Sequence, residues 1–282
     1  MKISLPCILV SACAAAVHAA PLAESSPLLP RADLPSQQWD HGSVDEYPIH
    51  KSCNATEQTM LRRGLQDAVT LASHARDHAL RFGNDSGIYR KYFGNAPSNG
   101  VIGNLARIVS ANKANTLFRC DDPDGKCQLP DYGGHWRGTN ATGETVICPL
   151  SYSTRLYLEY FCTRGYTVAH SERNTFFGLD LIHRLYHMPA IGEDHVGHFA
   201  DSYADVMELA AHNATFATRD SNALQYFAAE TYAFDIAVPG VGCSGDESEE
   251  TPSLTTPAQP ATSTVDAPKE CHTHDGGEVH CS

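Results

Sequence analysis

The chain has 282 residues and a formal net charge of −13 at pH 7, with 33 acidic residues against 20 lysines and arginines. This balance excludes nucleic acid and anionic membrane surfaces as partners, because binding to phosphates requires basic patches. The chain also contains 15 histidines. Acidic groups together with many imidazoles favour a metal cation as ligand.

The first 19 residues have the pattern of a secretory signal peptide. Lys2 precedes an apolar run over residues 3–16, and residues 17–19 form a small-residue cleavage site. No later segment approaches the roughly 18 apolar residues that a membrane helix requires, so no membrane insertion is expected. The mature chain is therefore predicted to be secreted and extracellular, either free or associated with the cell surface or cell wall. Residues 20–50, with five prolines, are predicted to form an extended arm.

Cysteines and glycosylation sequons support the extracellular prediction. After residue 19 the chain retains an even number of cysteines, which favours disulfide bonds in an oxidising compartment and leaves their connectivity open. These are Cys53, Cys120, Cys127, Cys148, Cys162, Cys243, Cys271 and Cys281. Sequons at Asn54, Asn84, Asn140 and Asn213 predict a glycoprotein.

Residues 51–245 are predicted to form one α+β domain, mainly helical with a small β-sheet and stabilised by disulfides. Apolar residues at helical spacing predict helices over 56–81 and 101–112, and three more near 172–188, 197–212 and 221–235. Between them, residues 117–120 and 145–148 are predicted to be short strands around a hairpin, with a turn at 122–125. His74 and His78 are expected to be solvated or at the edge of the core, and Trp136 is expected to lie in it.

The C-terminal part of the chain has a different composition. Residues 246–269 are rich in Ser, Thr, Pro and Glu without apolar periodicity, which predicts a disordered stalk. Residues 270–282 follow as a tail with His272, His274 and His280, which together can supply a zinc coordination shell. The flanking Cys271 and Cys281 either join them as thiolate ligands or form a disulfide, and secretion favours the disulfide.

A histidine pair on the predicted helix 172–188 is the central observation. His183 and His187 are four residues apart, so they share one helix face and can bind one zinc ion. The segment after the helix is dense in further possible ligands. These are Glu193, Asp194, His195, His198, Asp201 and Asp205. Metal binding requires neutral imidazole, so affinity is expected to fall below the ordinary histidine pKa of about 6.5.

The residue after the first histidine argues against proteolysis. In the metallopeptidase signature His-Glu-x-x-His, the glutamate acts as the general base that activates zinc-bound water. Arg184 occupies that position here, and its permanently charged guanidinium cannot accept a proton. It is expected to face away from the metal or to pair with an acid. The sequence therefore has the two histidine ligands of the signature but not its general base.

Four segments carry a resemblance to a known family. Residues 183–189 (HRLYHMP), 195–203 (HVGHFADSY), 224–228 (LQYFA) and 237–243 (AVPGVGC) resemble the fungal zincophore group of pH-regulated antigens and major allergens, catalogued as HRXXH peptidases. The chain is similar, more distantly, to deuterolysin-type zinc peptidases. The resemblance implies a zincin-like fold, zinc capture and delivery to a plasma-membrane zinc transporter. It also implies binding to host extracellular proteins.

The resemblance also assigns the ligands. His183 and His187 take the two helical positions, and His198 falls about where deuterolysin-type peptidases have an aspartate ligand. Asp194, Asp201 and, less favoured, His195 compete with His198.

The leading prediction is a secreted zinc scavenger that performs no chemistry. The alternative is a secreted zinc endopeptidase with an atypical site, in which Glu193 or Asp194 replaces the missing base.

Overall fold

The computed structural model describes residues 40–246 and the backbone of residues 271–273 and 279–281. The chain divides into two compact units, Met1–Gly42 and Ser43–Ser282, and of the first only the turn at 40–42 is described. Several predicted features lie outside the described residues. They are the signal peptide (1–19), most of the arm (20–50), nearly all of the stalk (246–269), His274, and the side chains of the tail.

The second unit is built around one long helix, α1 (Ala55–Phe82). Its start is fixed by a capping box: Asn54 accepts hydrogen bonds from the N–H groups of Thr56 and Glu57, while the Glu57 carboxylate accepts one from the Asn54 N–H. It ends at Gly83, whose φ of 53° favours glycine. The helix matches the predicted one because its apolar residues recur on the face that packs into the core.

Three further helices pack against α1: α3 (Asn99–Ser110), α5 (Phe177–Tyr186) and α9 (Ser221–Tyr232). The crossing of α1 and α5 is close because each helix has a glycine there. A Cβ on Gly64 would lie 2.8 Å from the Phe177 ring, and one on Gly178 would lie 3.0 Å from the α1 backbone at Asp67. All ten residues of α5, the helix that contains His183 and is followed directly by His187, are buried.

Five shorter helices complete the α-helices of the described chain. They are α2 (Gly87–Phe93), α4 (Pro149–Thr154), α6 (Pro189–Gly192), α7 (Tyr203–His212) and α8 (Ala214–Ala217). The predicted helix over 197–212 contains all of α7 but starts too early, because α7 begins at Tyr203, after Ser202 caps its first turn. Helix α5 also begins later than predicted, because Phe176 is extended and bridges to Leu156.

The described domain contains a three-stranded sheet in the order β1-β3-β2, formed by β1 (Leu117–Arg119), β2 (Gly134–Trp136) and β3 (Glu144–Ile147). The predicted hairpin is wrong, because β1 and β3 run parallel. The antiparallel partner of β3 is β2, which the sequence analysis missed. A three-residue strand that begins with glycine has too little alternation to detect.

Disulfides join distant parts of the domain: Cys53–Cys120, Cys127–Cys148 and Cys162–Cys243. In the tail, β4 (Cys271–Thr273) and β5 (Val279–Cys281) pair antiparallel, with Cys271 opposite Cys281 and His272 opposite His280. The predicted class, an α+β fold that is mainly helical with a small sheet and disulfides, is confirmed. No helix in the described part of the chain is long and apolar enough to cross a membrane.

Residues 43–50, the last part of the predicted arm, lie against this domain. Tyr47 is buried and its hydroxyl donates to the Ile108 carbonyl at 2.6 Å. Ile49 forms a parallel bridge with Phe118 of β1.

Candidate metal centre

The histidine pair lies at the C-terminal end of α5. His183 is buried and His187 is half-buried, and their Nε2 atoms are 3.2 Å apart. Two nitrogens that each bind one zinc ion at about 2.0–2.1 Å in tetrahedral geometry are separated by roughly 3.3 Å. The pair is therefore already spaced for a shared ion, as its helical positions predict.

A third imidazole comes from the loop between α6 and α7. The ring centroid of His198 lies 5.0 Å from the centroids of both His183 and His187. One nitrogen from each of the three residues can be chosen so that all lie within 4.8 Å of one another. The structure thus brings together the three residues that the sequence analysis favoured, and as a donor set they can hold a metal ion.

Asp220 holds the loop that carries His198. Its carboxylate accepts hydrogen bonds from the N–H groups of Phe199 at 2.7 Å and Ala200 at 3.2 Å. Gly197 also bridges to Asp220 through the backbone. Burial raises the pKa of Asp220 to about 6, and these backbone donors oppose that rise. Asp220 therefore positions His198 without belonging to the cluster.

Trp136 and Ser221 complete the surroundings of the helical pair. The Trp136 ring stacks on His187 with centroids 6.1 Å apart and planes 16° from parallel. Trp136 was expected in the core, but it is only half-buried and forms a wall of the site. Ser221 Oγ lies 3.4 Å from His183 Nδ1, on the ring edge away from the His187 contact. Such a neighbour orients an imidazole whose other nitrogen binds metal.

Arg184 pairs with an acid, as expected. Its guanidinium donates to the Asp180 carboxylate through Nε at 3.1 Å and forms an ion pair through Nη2 at 3.0 Å. Both residues are buried. A Cβ on Gly134 of β2 would lie 2.7 Å from Arg184 Nη1, so the arginine packs directly beneath the sheet. Position 184 is therefore structural in this chain.

The other candidate ligands of the return segment are not part of the three-histidine cluster. Glu193 forms an ion pair with Arg107 and is 55% exposed. Asp194, His195 and Asp201 are exposed. In the tail, His272 and His280 are paired by backbone register only, and Cys271 and Cys281 likewise, so their roles as ligands stay predictions.

Asp220 and Ser221 were missed by the sequence analysis as site residues. The signal for Asp220 was present, because an aspartate directly before an apolar helical run is a typical N-cap, and its side chain accepts from the Ala223 N–H. Nothing in the sequence indicates that the same carboxylate also holds the loop of His198. That role depends on a contact between segments about twenty residues apart.

A second cluster, formed by Cys127, His135 and Cys148, also has metal-ligand atoms close together. Its two sulfurs are joined in a disulfide and His135 Nε2 contacts Asp124 Oδ2 at 3.1 Å, so the group does not offer three ligand atoms to an ion. The three-histidine cluster is therefore the candidate centre of the described residues.

Comparisons with known proteins show which family the chain resembles. A family model described as "HRXXH: Putative peptidase family" matches residues 3–246. The chain is 51% identical over 269 residues to the major allergen Asp f 2 of Aspergillus fumigatus, which covers 86% of this chain and 87% of that protein. It is 48% identical over 209 residues to the pH-regulated antigen PRA1 of Candida albicans, covering 74% and 70%. A zinc peptidase from Grifola frondosa superposes with a TM-score of 0.47 at 14% identity, over 64% of this chain and 99% of that one.

Proposed function

We propose that this chain, which belongs to the HRXXH family of putative peptidases, is a secreted protein that captures zinc rather than cleaving peptide bonds. One observation carries the proposal. The imidazoles of His183, His187 and His198 converge, while the position of the peptidase base holds an arginine that is paired with Asp180. These three donors support a zinc site, and the arginine at the position of the usual base counts against proteolysis.

The donor atoms favour a transition metal such as zinc over calcium and magnesium. Three imidazole nitrogens suit zinc, whereas calcium and magnesium take oxygen ligands. A separation of 3.2 Å between two of these nitrogens fits a tetrahedral ion. Three protein ligands leave a fourth position for water or for a donor from a partner, and such a site can release its metal to that partner.

The contacts of Glu193 and Asp194 do not support either residue as a replacement for the missing base. A general base must lie within hydrogen-bond reach of the water it activates, directly or through one further water. Glu193 is held by Arg107, and the cluster of possible ligand atoms includes neither Glu193 nor Asp194. This arrangement favours capture over the alternative function, a zinc endopeptidase with an atypical site.

The proposal includes a destination for the metal. By resemblance to secreted fungal antigens, the chain passes zinc to a plasma-membrane zinc transporter and also binds host extracellular proteins. In this scheme the domain site holds zinc, and the tail with His272, His274 and His280 exchanges it. Host-protein binding that persists after all metal is removed would show that docking and zinc capture are separate properties.

Native mass spectrometry of the full chain with added zinc tests the domain site. The intact chain is expected to hold one more zinc ion than the His183→Ala/His187→Ala variant. A His212→Ala variant is the control, because His212 is an exposed histidine on α7, and it should bind as many ions as the intact chain. An equal zinc count in the intact chain and the double variant would overturn the site.

Incubation with an unfolded protein substrate separates capture from proteolysis. The intact chain with bound zinc is expected to leave the substrate uncut. Cleavage by the intact chain that disappears on chelation and in the His183→Ala/His187→Ala variant would contradict the proposed zinc capture. It would establish the alternative function, a zinc endopeptidase.

A further inference from the structure

A relay of three side chains lies on elements that do not contribute to the histidine cluster. Asp235 belongs to a π-helical turn (Ala233–Ala237) that continues α9, His78 lies on α1, and Ser86 precedes α2. The Asp235 carboxylate is 2.7 Å from His78 Nδ1, and His78 Nε2 is 2.8 Å from Ser86 Oγ. A hydroxyl, an imidazole and a carboxylate connected in this order are the arrangement that activates a serine nucleophile.

The hydrogen bonds define where the protons lie when His78 is neutral. An ionised carboxylate only accepts, so Nδ1 carries the imidazole proton and donates it to Asp235. Nε2 is then an acceptor facing the serine. Ser86 Oγ already accepts from the Tyr89 N–H at 3.2 Å, which leaves its own hydrogen to donate to Nε2. His78 is thus in the tautomer that a general base requires.

The surroundings hold this relay in place. His78 is buried, with its ring 4.9 Å from the Phe82 ring and 5.9 Å from the Phe227 ring. His74 Nε2 lies 2.9 Å from the same Asp235 oxygen that His78 contacts, so the carboxylate is fixed from two sides. This orientation of the acid and the imidazole precedes any substrate, as an activated nucleophile requires.

A cavity of about 480 Å³ opens onto His78 and Ser86. This volume is within the range of small-molecule sites, roughly 300–1,000 Å³. Phe82, Phe234 and Val241 give it an apolar wall. Its lysine, Lys91, is neutralised by ion pairs with Glu230 and Asp246.

Access to the hydroxyl is open. Ser86 is partly exposed, and the space beside Gly87 holds no atom within 4 Å of where a Cβ would stand. An apolar wall with a neutralised lysine and further carboxylates suits an uncharged acyl group and disfavours an anionic substrate.

We propose that Ser86, His78 and Asp235 form a metal-independent acyl-transfer site that hydrolyses short-chain, neutral carboxylic esters. Ser86 Oγ bonds to the ester carbonyl carbon and its proton passes to His78 Nε2. The alkoxide leaves as an alcohol by taking that proton, which breaks the ester bond and leaves an acyl group on Ser86. Water then attacks the acyl-serine, His78 again relays the proton, and a carboxylic acid is released. No oxidant, reductant or metal is consumed.

Labelling of the full natural chain by a fluorophosphonate tests the nucleophile without any substitution. The serine oxygen would displace fluoride from phosphorus, and peptide mass spectrometry would locate the adduct. We expect the adduct on Ser86, with and without a chelator. Its absence from Ser86 would overturn the proposal.

Hydrolysis of p-nitrophenyl butyrate provides the second measurement. Ser86→Ala removes the nucleophile and is expected to lower kcat/KM by roughly 10³-fold or more, because loss of the nucleophile disables the whole relay. Asp235 positions His78, so Asp235→Asn is expected to lower kcat while KM is unchanged. Natural rates in a folded Ser86→Ala variant would show that the relay only caps α2.

Ser86 also completes the sequon at Asn84, so Ser86→Ala removes a glycosylation signal as well as the hydroxyl. Asn84→Gln removes the same signal and keeps the hydroxyl, and it is therefore the matched control. It is expected to hydrolyse the ester and to be labelled at Ser86 like the natural chain. A loss of both in Asn84→Gln would assign the effect to the glycan and contradict the proposal.

Discussion

Arg184 and Asp180 form a buried ion pair one helical turn apart on α5, with Nη2 and Oδ1 separated by 3.0 Å. Arg155 lies behind it, with its Nε 3.7 Å from Asp180 Oδ2. Arg184, which directly follows His183, is thus buried in the interior of the domain. This relationship explains why an arginine is accommodated beside a metal cluster, because its charge is compensated by Asp180 instead of facing the imidazoles.

Arg184→Glu is expected to destabilise the domain instead of creating a peptidase. The substitution would remove the nearer of the two arginines beside Asp180 and bury a second carboxylate next to it. Breaking a buried pair in this way typically costs about 3–5 kcal/mol. Urea unfolding of the natural and variant chains measures the loss. Arg62→Glu, an exposed change on α1, is the control and should have an effect within about 0.5 kcal/mol. Equal stability of Arg184→Glu and the natural chain would contradict the structural role of the pair.

Asp220→Ala is expected to weaken zinc binding while the number of bound ions is unchanged. The variant loses the carboxylate that holds the N–H groups of Phe199 and Ala200, so the loop no longer presents His198 in one position. Loss of such an outer contact typically lowers metal affinity about 10–100-fold. Competition with a chromogenic zinc chelator measures this affinity.

Ser202→Ala provides the control for that experiment, because it removes the cap of α7 and leaves the Asp220 contacts intact. Its zinc affinity should equal that of the natural chain. Equal weakening in both variants would assign the effect to general loss of stability.

The buried carboxyl of Asp67 is expected to make the stability of the domain depend on pH. Burial raises the pKa of this carboxyl from 3.8 to about 6, against the opposing effects of the Leu158 N–H and Arg63. A group whose pKa is higher in the folded state binds more protons there, so its contribution to stability falls as the pH rises from about 3.8 to about 6. Asp67→Asn removes this fall.

The urea midpoint of Asp67→Asn, relative to that of the natural chain, should therefore increase between pH 4 and pH 6 and remain constant above. Asp77→Asn changes an exposed aspartate on the same helix and serves as control. A constant difference between the Asp67 variant and the natural chain across this pH range would disprove the prediction.

Deletion of residues 270–282 is expected to lower the zinc stoichiometry and leave the domain folded. The three disulfides and the buried core of the described domain lie between residues 43 and 246. Native mass spectrometry counts the ions, and circular dichroism checks the fold. A variant with His272, His274 and His280 changed to alanine should match the deletion. An unchanged ion count in both would remove the tail from the proposed function.

The sequence by itself determined the parts of this protein that depend on local spacing. Helical periodicity alone predicted α1 nearly to its ends. The interval of four residues between His183 and His187 predicted a shared helix face, because the geometry of an α-helix is independent of its surroundings. The identity of Arg184 predicted the loss of the usual base, since that conclusion requires only the chemistry of a guanidinium.

The tertiary structure decided what depends on contacts between distant segments. In the sequence, only the family resemblance favoured His198 over Asp194 and Asp201 as the third ligand. In the structure, the hydrogen bonds of Asp220 hold the loop that brings His198 to the histidine pair. Two further features could not be predicted from the sequence. They are the parallel pairing of β1 with β3 and the relay from Asp235 through His78 to Ser86. Asp235 and His78 are separated by 157 positions, and no local pattern encodes a hydrogen bond over that length. Only the packing of α9 against α1 places these two side chains together.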